Sequence, residues 1–172
     1  MDTVLFLTVR ALHVVLSGLW LGAGILLSSY LVPLMQQEGV SASRLLSGLV
    51  RRGLVTYMAV IGGTTVLTGI YLYWRFTDGF EPALTSSPAG LMFGLGGFLG
   101  LVAVIVGGAV IGRAARHGAQ AMDRATSLPD GPERVSVLRE SAAALDRLAG
   151  AGRLVSGLLL AAMVLMALGH YV

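Results

Sequence analysis

Residues 11–32 read ALHVVLSGLWLGAGILLSSYLV, a largely apolar run that carries a single histidine. A helix needs about 20 apolar residues to cross the hydrocarbon core of a bilayer, which is ~30 Å thick. Inside that core every backbone N–H and C=O must be bonded within the segment, and a helix satisfies this requirement. The stretch therefore predicts a helix that spans a membrane.

Three further apolar runs of similar length follow at residues 53–74, 89–112 and 154–172. The mean hydropathy of +0.80 and the charged share of 12% are typical of a protein whose main solvent is lipid. A chain of 172 residues leaves no room for a separate soluble domain of ordinary size. We therefore expect an all-α integral membrane protein, an antiparallel bundle of four helices that forms one domain over residues 1–172.

The expected helices cover about residues 4–33, 49–75, 88–126 and 133–171. Pro33 is expected to end the first helix, and the polar segment 36–47 reads as a loop. Apolar residues recur at helical spacing from 133 to 150, which predicts a cytoplasmic helical extension of helices 3 and 4. A separate amphipathic helix lying on anionic lipid is the alternative for this segment.

All twelve basic residues are arginine, and ten of them lie between helices 1 and 2 or between helices 3 and 4. Only Arg10 and Arg75 lie on the opposite side. Because cytoplasmic connections are enriched in basic residues, both termini should face the periplasm from an inner or plasma membrane. Topology and anionic lipid account for the net charge of +3, so no nucleic-acid partner is expected.

Several kinds of chemistry are excluded by composition. The chain has no cysteine, so disulfides, iron–sulfur clusters and thiolate metal sites are ruled out. The acidic residues all fall in termini or connections, which argues against a proton-coupled transporter of the usual kind. No glycine-rich run is followed by the lysine of a phosphate loop.

His13 is the main candidate for function, because ionisable groups are rare inside membrane spans. Ser17, Trp20, Gly24 and Ser28 share its helical face, and we expect this stripe to point into the bundle. A histidine that only hydrogen-bonds to a neighbouring helix is the alternative interpretation. His117, in the arginine-rich connection, is expected to be solvated, with no role in the site.

Two further residues are expected at the level of His13. In an antiparallel bundle His170, near the end of helix 4, and Arg75, at the end of helix 2, lie on the same side as the start of helix 1. Two imidazoles and an arginine that pairs with propionates are the groups that a b-type haem needs. An interfacial position without a ligand is the alternative for His170.

A methionine group suggests a second chemistry. Met92, Met163 and Met166 project from helices 3 and 4, and Met166 lies one turn before His170. Thioether and imidazole ligands suit Cu(I). Methionine also fills gaps in ordinary apolar cores, which is the alternative.

The run RALHVVLSGLWLG at residues 10–22 resembles the first helix of four-helix membrane proteins of the HemJ (protoporphyrinogen oxidase) and CopD (copper resistance) type. An Arg-Arg pair before helix 2 and a Leu-Thr-Gly within it are also similar. The resemblance implies that His13 ligates haem. The HemJ group carries a lysine in helix 3, whereas this chain has no lysine and offers Met92 and Phe93 there.

We therefore expect a membrane protein that binds haem b and acts in electron transfer or as a redox subunit. His13 would be one axial ligand, with His170, Met92 or Met166 as the second or with five-coordinate iron. Arg75 would pair with a propionate, and Trp20 would lie beside the cofactor. The alternatives are a cofactor-free accessory subunit of a larger membrane complex and CopD-like copper handling. No catalytic residue is predicted, and the sequence leaves open whether the chain is an enzyme.

Overall fold

A computed structural model describes residues 3–38 and 40–172, and within these ranges every regular element is a helix. Four continuous helices are long and apolar enough to cross a membrane: Thr3–Gln37, Leu54–Phe76, Pro88–Ser127 and Pro132–Leu168. The prediction of an all-α protein with four candidate spans is confirmed.

The individual helices are labelled in chain order. The first span consists of α1 (Thr3–Leu26), a π-helical turn (Leu27–Leu31) and the start of α2 (Val32–Glu38). Helices α3 (Val40–Arg51), α4 (Leu54–Phe76) and the short α5 (Pro82–Thr85) follow. The third span combines α6 (Pro88–Val106), a second π-helical turn (Gly107–Ile111) and α7 (Gly112–Ser127), and the fourth is α8 (Pro132–Leu168).

Pro33 does not end the first helix, so that expectation was wrong. A proline inside a regular α-helix removes one backbone hydrogen bond and its ring clashes with the preceding turn. Here the wide turn Leu27–Leu31 comes just before it, and Val32 N–H bonds to the carbonyl of Leu27, five residues back. This widened turn relieves the crowding at Pro33, and the chain stays helical to Glu38.

In the expected loop at residues 36–47, residues 36–38 and 40–47 are helical, and α3 packs on α7. Leu46 is 5% exposed and Ser47 is 1% exposed, so burial stabilises a segment whose polar composition alone suggests a loop. The chain turns at Gly53, whose φ of +85° lies in the left-handed region. The second span accordingly begins at Leu54 rather than near residue 49.

The chain forms two compact units. We name one after His13 and His170 and the other after its arginines. The histidine unit contains Met1–Gly22, Val60–Ile105 and Ser156–Val172. The arginine unit contains Ala23–Ala59 and Val106–Val155. Ten of the twelve arginines belong to the arginine unit.

The core of the arginine unit joins α2, α3, α7 and α8. Small residues on α7 let these helices approach closely: a Cβ at Gly118 would lie 2.9 Å from the Cβ of Ala144 and 3.4 Å from Leu46 Cδ2. The segment from 133 to 150 thus packs on α7, as a helical hairpin requires. The buried core residues are Val32, Met35, Leu46, Ala114, Ala115, Leu145, Leu148 and Ala149.

Polar contacts also link α3, α7 and α8. The Ser47 hydroxyl donates to Asp123, and Arg51 Nη1 lies 3.7 Å from the same carboxylate oxygen. Arg124 pairs with Glu140 across α7 and α8 at 3.0 Å. Exposed ion pairs contribute only about 0–1 kcal/mol each, so the apolar contacts of α7 provide most of the stability.

We expect Gly118→Ala to destabilise the arginine unit. The new methyl group would meet the Cβ of Ala144, which is attached to backbone and cannot rotate away, and overpacking of this kind costs about 1–3 kcal/mol. The midpoint of thermal unfolding in detergent should fall by about 2–4 °C for each kcal/mol.

Gly150→Ala is the matched control for that variant, because a Cβ at Gly150 would meet nothing within 4 Å. Its unfolding midpoint should stay constant or rise, since alanine favours the helix. A Gly118→Ala protein as stable as the Gly150→Ala protein would contradict the close contact of α7 with α8.

Candidate cofactor site around His13

His13 is buried, with 9% of its surface exposed. Trp20, two turns further along α1, is buried too, whereas Leu12, Val14 and Val15 are exposed. The expected interior stripe of α1 is confirmed at these positions, and the imidazole points among the helices of the histidine unit.

The hydrogen bonds of His13 define its tautomer. Nδ1 lies 2.9 Å from the carbonyl oxygen of Thr65 and 3.1 Å from Thr68 Oγ1. A carbonyl oxygen only accepts, so Nδ1 must carry the proton and donate it. In the neutral ring Nε2 then keeps its lone pair, and in the part of the chain that the structure describes Nε2 has no hydrogen-bond partner.

Gly69 gives His13 access to the carbonyl of Thr65. Side chains on a helix tilt toward its N-terminus, so a residue at position 69 would cover the carbonyl of Thr65 one turn before it. A Cβ at Gly69 would lie only 2.9 Å from His13 Cε1. The imidazole therefore occupies the volume that a larger residue on α4 would fill.

Trp20 packs against a second glycine of α4 in the same way. We call the space that each glycine leaves on α4 a notch. A Cβ at Gly62 would lie 2.9 Å from Trp20 Cζ2 and 3.3 Å from Val104 Cγ2 on α6. As α1 proceeds from His13 to Trp20, its contacts on α4 go back from Gly69 to Gly62. Two ring side chains of α1 thus fill two glycine notches of α4, seven residues apart on each helix.

Two threonines of α4 complete the surroundings of His13. Thr68 Oγ1 donates to its own helix, with the carbonyl of Thr64 at 2.8 Å, so it can accept the proton of His13 Nδ1. Thr65 is 6% exposed, and its Oγ1 has no hydrogen-bond partner among the described residues. An unsatisfied buried hydroxyl costs about 1–3 kcal/mol, and this atom could bond to a group bound beside His13.

His170 contacts Arg10 rather than His13. Arg10 Nη2 lies 2.5 Å from His170 Nε2, and because a guanidinium only donates, Nε2 must be the acceptor. The ring meets Phe93 edge-on, with centroids 5.3 Å apart and planes at 77°. Arg10 precedes His13 by one helical turn, so the two histidines lie at the same end of the histidine unit, and Arg10 was missing from the predicted site.

The other residues predicted for the site take no part in the contact between Arg10 and His170. Arg75 is exposed at the end of α4. Met166 packs on Gly96, where a Cβ would lie 3.1 Å from its Cγ, as expected of a residue that fills a core gap. Met163 is 38% exposed, and Met92 is half-buried. Among the described residues no group of three or more His, Asp or Glu could hold a metal ion, and His117 is exposed on α7.

Comparisons with known proteins yield no relative: no family model, no curated protein and no solved structure matches this chain. The resemblance of residues 10–22 to the HemJ and CopD group stays a prediction. The function is therefore inferred from the geometry around His13.

Gly69→Ala should weaken the contact between α1 and α4. The methyl group would push the imidazole away from the Thr65 carbonyl and weaken a hydrogen bond worth about 0.5–1.5 kcal/mol. We expect a lower midpoint of thermal unfolding, whereas Gly63→Ala, whose Cβ would meet nothing within 4 Å, should leave it unchanged.

A double-mutant cycle tests whether His13 is the cause of the lower unfolding midpoint of Gly69→Ala. In a His13→Ala background the imidazole is gone, so Gly69→Ala should cost much less than it does in the natural sequence. Equal effects of Gly69→Ala in both backgrounds would show that the imidazole does not lie against Gly69.

Proposed function

We propose that this chain is a multi-pass protein of the inner or plasma membrane whose four spans form an antiparallel bundle. Contacts between α1 and α4 follow one another in opposite order along the two helices, which supports this arrangement. Residues 113–153, which carry seven of the twelve arginines, would be the cytoplasmic extension of helices 3 and 4. Both termini would then face outward.

We further propose that the protein binds haem b through His13 Nε2 and takes part in electron transfer. The observation that carries this proposal is the hydrogen bond from His13 Nδ1 to the carbonyl of Thr65. Histidines that ligate metals nearly always donate their other N–H to a carbonyl or carboxylate, which fixes the ring and increases its basicity. The same bond leaves Nε2 with a lone pair and without a protein partner.

Each residue of the site would have a separate task. The haem, when bound, supplies one-electron chemistry at its iron. The Thr65 carbonyl orients the imidazole, and the unsatisfied Thr65 Oγ1 gives the interior one further polar atom. Arg10 and Arg75, at the same end of the unit as His13, offer guanidinium groups for propionates. Trp20 would close the apolar side of the site.

The environment of His170 bears on whether this residue would also hold the haem iron. Its Nε2 already accepts a hydrogen bond from Arg10, so coordination through that atom would require Arg10 to move away. Met166 is committed to the contact with Gly96. The geometry therefore disfavours His170 and Met166 beside His13, and leaves Met92 or an iron held by His13 alone.

An absorption spectrum of the purified protein tests the haem proposal. We expect a Soret band that shifts on reduction with dithionite, is lost in His13→Ala, and survives in His117→Ala, which removes an exposed histidine. His170→Ala should keep the band. A haem-reconstituted natural protein without a Soret band, or a His13→Ala protein that retains it, would refute the proposal.

A cofactor-free accessory subunit is the second candidate, and the packing of α1 on α4 favours it. His13 and Trp20 already fill the notches at Gly69 and Gly62, an arrangement that holds two helices together without a ligand. The chain would then pack in the membrane against a larger protein complex. CopD-like copper handling through Met92, Met166 and His170 is the remaining alternative.

One preparation distinguishes these alternatives. If the chain is an accessory subunit, mild solubilisation should retain a stoichiometric membrane partner, and His13→Ala should not release it. If the chain handles copper, metal analysis should find copper that is lost in a Met166→Leu/His170→Ala double variant. A protein that purifies alone and without copper would dismiss both alternatives.

A further inference from the structure

Four exposed arginines of the arginine unit lie within four residues of the ends of the apolar runs 53–74, 89–112 and 154–172. We call them the arginine belt: Arg52, Arg113, Arg116 and Arg153. Arg52 lies in the turn before α4, Arg113 and Arg116 lie in the first turns of α7, and Arg153 lies on α8. The belt thus draws on three separate segments of the chain.

Contacts around Gly112 place the first three arginines at one level. A Cβ at Gly112 would lie 3.5 Å from Val55 Cγ1 and 3.5 Å from Arg116 Nη2, so the Arg116 guanidinium folds back along α7 toward Val55. Arg113 follows Gly112 directly, and Arg52 precedes Val55 by three residues.

Arg153 reaches the same level from α8. Its Nε donates to the carbonyl of Ala149 at 3.2 Å, which draws the guanidinium back by one turn. Ala149 belongs to the buried cluster that also contains Ala114 and Ala115 of α7, and Val55 packs against that cluster. All four arginines therefore lie within four residues of a member of this one buried cluster or of Val55, which packs against it.

The belt has no carboxylate partner among the residues that the structure describes. Three other arginines of the same unit are paired: Arg51 with Asp123, Arg124 with Glu140, and Arg134 with Asp130. The belt thus leaves a local excess of positive charge. Such an excess attracts an anionic partner from outside the chain.

The side chains next to the belt indicate which anion this is. Tyr57, Val110 and Leu154 are exposed apolar residues, 51%, 42% and 56% exposed, and each lies within about a turn and a half of a belt arginine. A row of cations beside exposed apolar side chains matches a phospholipid, whose phosphate adjoins its acyl chains. A free phosphate or a nucleic acid would use the cations and leave the apolar rim in water.

We propose that the arginine belt binds the phosphate groups of anionic phospholipids such as phosphatidylglycerol. Guanidinium groups bind phosphate oxygens in pairs, with a geometry that lysine cannot reproduce. The proposal requires only that the apolar helices lie in a bilayer, and it is independent of any haem at His13.

Native mass spectrometry of the full-length protein from micelles with equal phosphatidylglycerol and phosphatidylcholine tests the proposal. The natural sequence should retain phosphatidylglycerol preferentially. Each belt arginine replaced by glutamine should lower that preference about fivefold. Arg113→Gln/Arg116→Gln should therefore have a large effect, and replacing all four arginines should abolish the preference. The matched control is Arg124→Gln/Arg139→Gln, which removes two charges outside the belt.

A second measurement needs no variant. In the natural sequence the preference should weaken as sodium chloride is raised, because salt screens exposed charges. Inorganic phosphate should not displace the lipid more effectively than chloride does at equal ionic strength.

Three results would overturn the proposal: a preference unchanged in the fourfold variant, an equal loss in the Arg124→Gln/Arg139→Gln control, or specific displacement by inorganic phosphate. The Soret band reports separately on His13. Loss of lipid preference and loss of haem can therefore be told apart.

Discussion

The approach of α1 to α4 depends on two missing side chains. Gly69 and Gly62 leave notches that receive the imidazole of His13 and the indole of Trp20. In lipid, apolar helices gain little from the hydrophobic effect, so close packing and interhelical hydrogen bonds must hold them together. The bond from His13 Nδ1 to the Thr65 carbonyl is such a contact, and it exists because the residue one turn after Thr65 has no Cβ.

The fold could be predicted from the sequence where a long apolar pattern decides the structure. The four spans and the interior position of His13 are visible in hydropathy and helical spacing, because a single apolar segment can satisfy its own backbone groups in lipid only as a helix. The helical segments around Pro33 and Leu46 could not be predicted in this way. Their stability comes from the widened turn before Pro33 and from burial against α7, which are tertiary effects that local composition does not report.

The candidate site, too, could be predicted from the sequence only in part. A histidine inside a span could be identified as a candidate from sequence, since such residues are rare. The partner of His170 could not, because its contact with Arg10 joins residues 160 positions apart. The tautomer of His13 was also beyond sequence reasoning. The tautomer is fixed by the carbonyl of α4 that faces the ring. Which carbonyl this is depends on the register of α1 against α4.

The two π-helical turns have a consequence for how related sequences should be compared. Each holds an additional residue within a continuous helix, so any heptad or helical-wheel numbering that starts at His13 is displaced by one position beyond Leu31. Gly107–Ile111 does the same in the third span. Homologues that lost one residue at either place would keep their hydropathy profile almost unaltered while presenting different side chains to their neighbours. Single-residue gaps there would accordingly mark a structural divergence that overall similarity conceals.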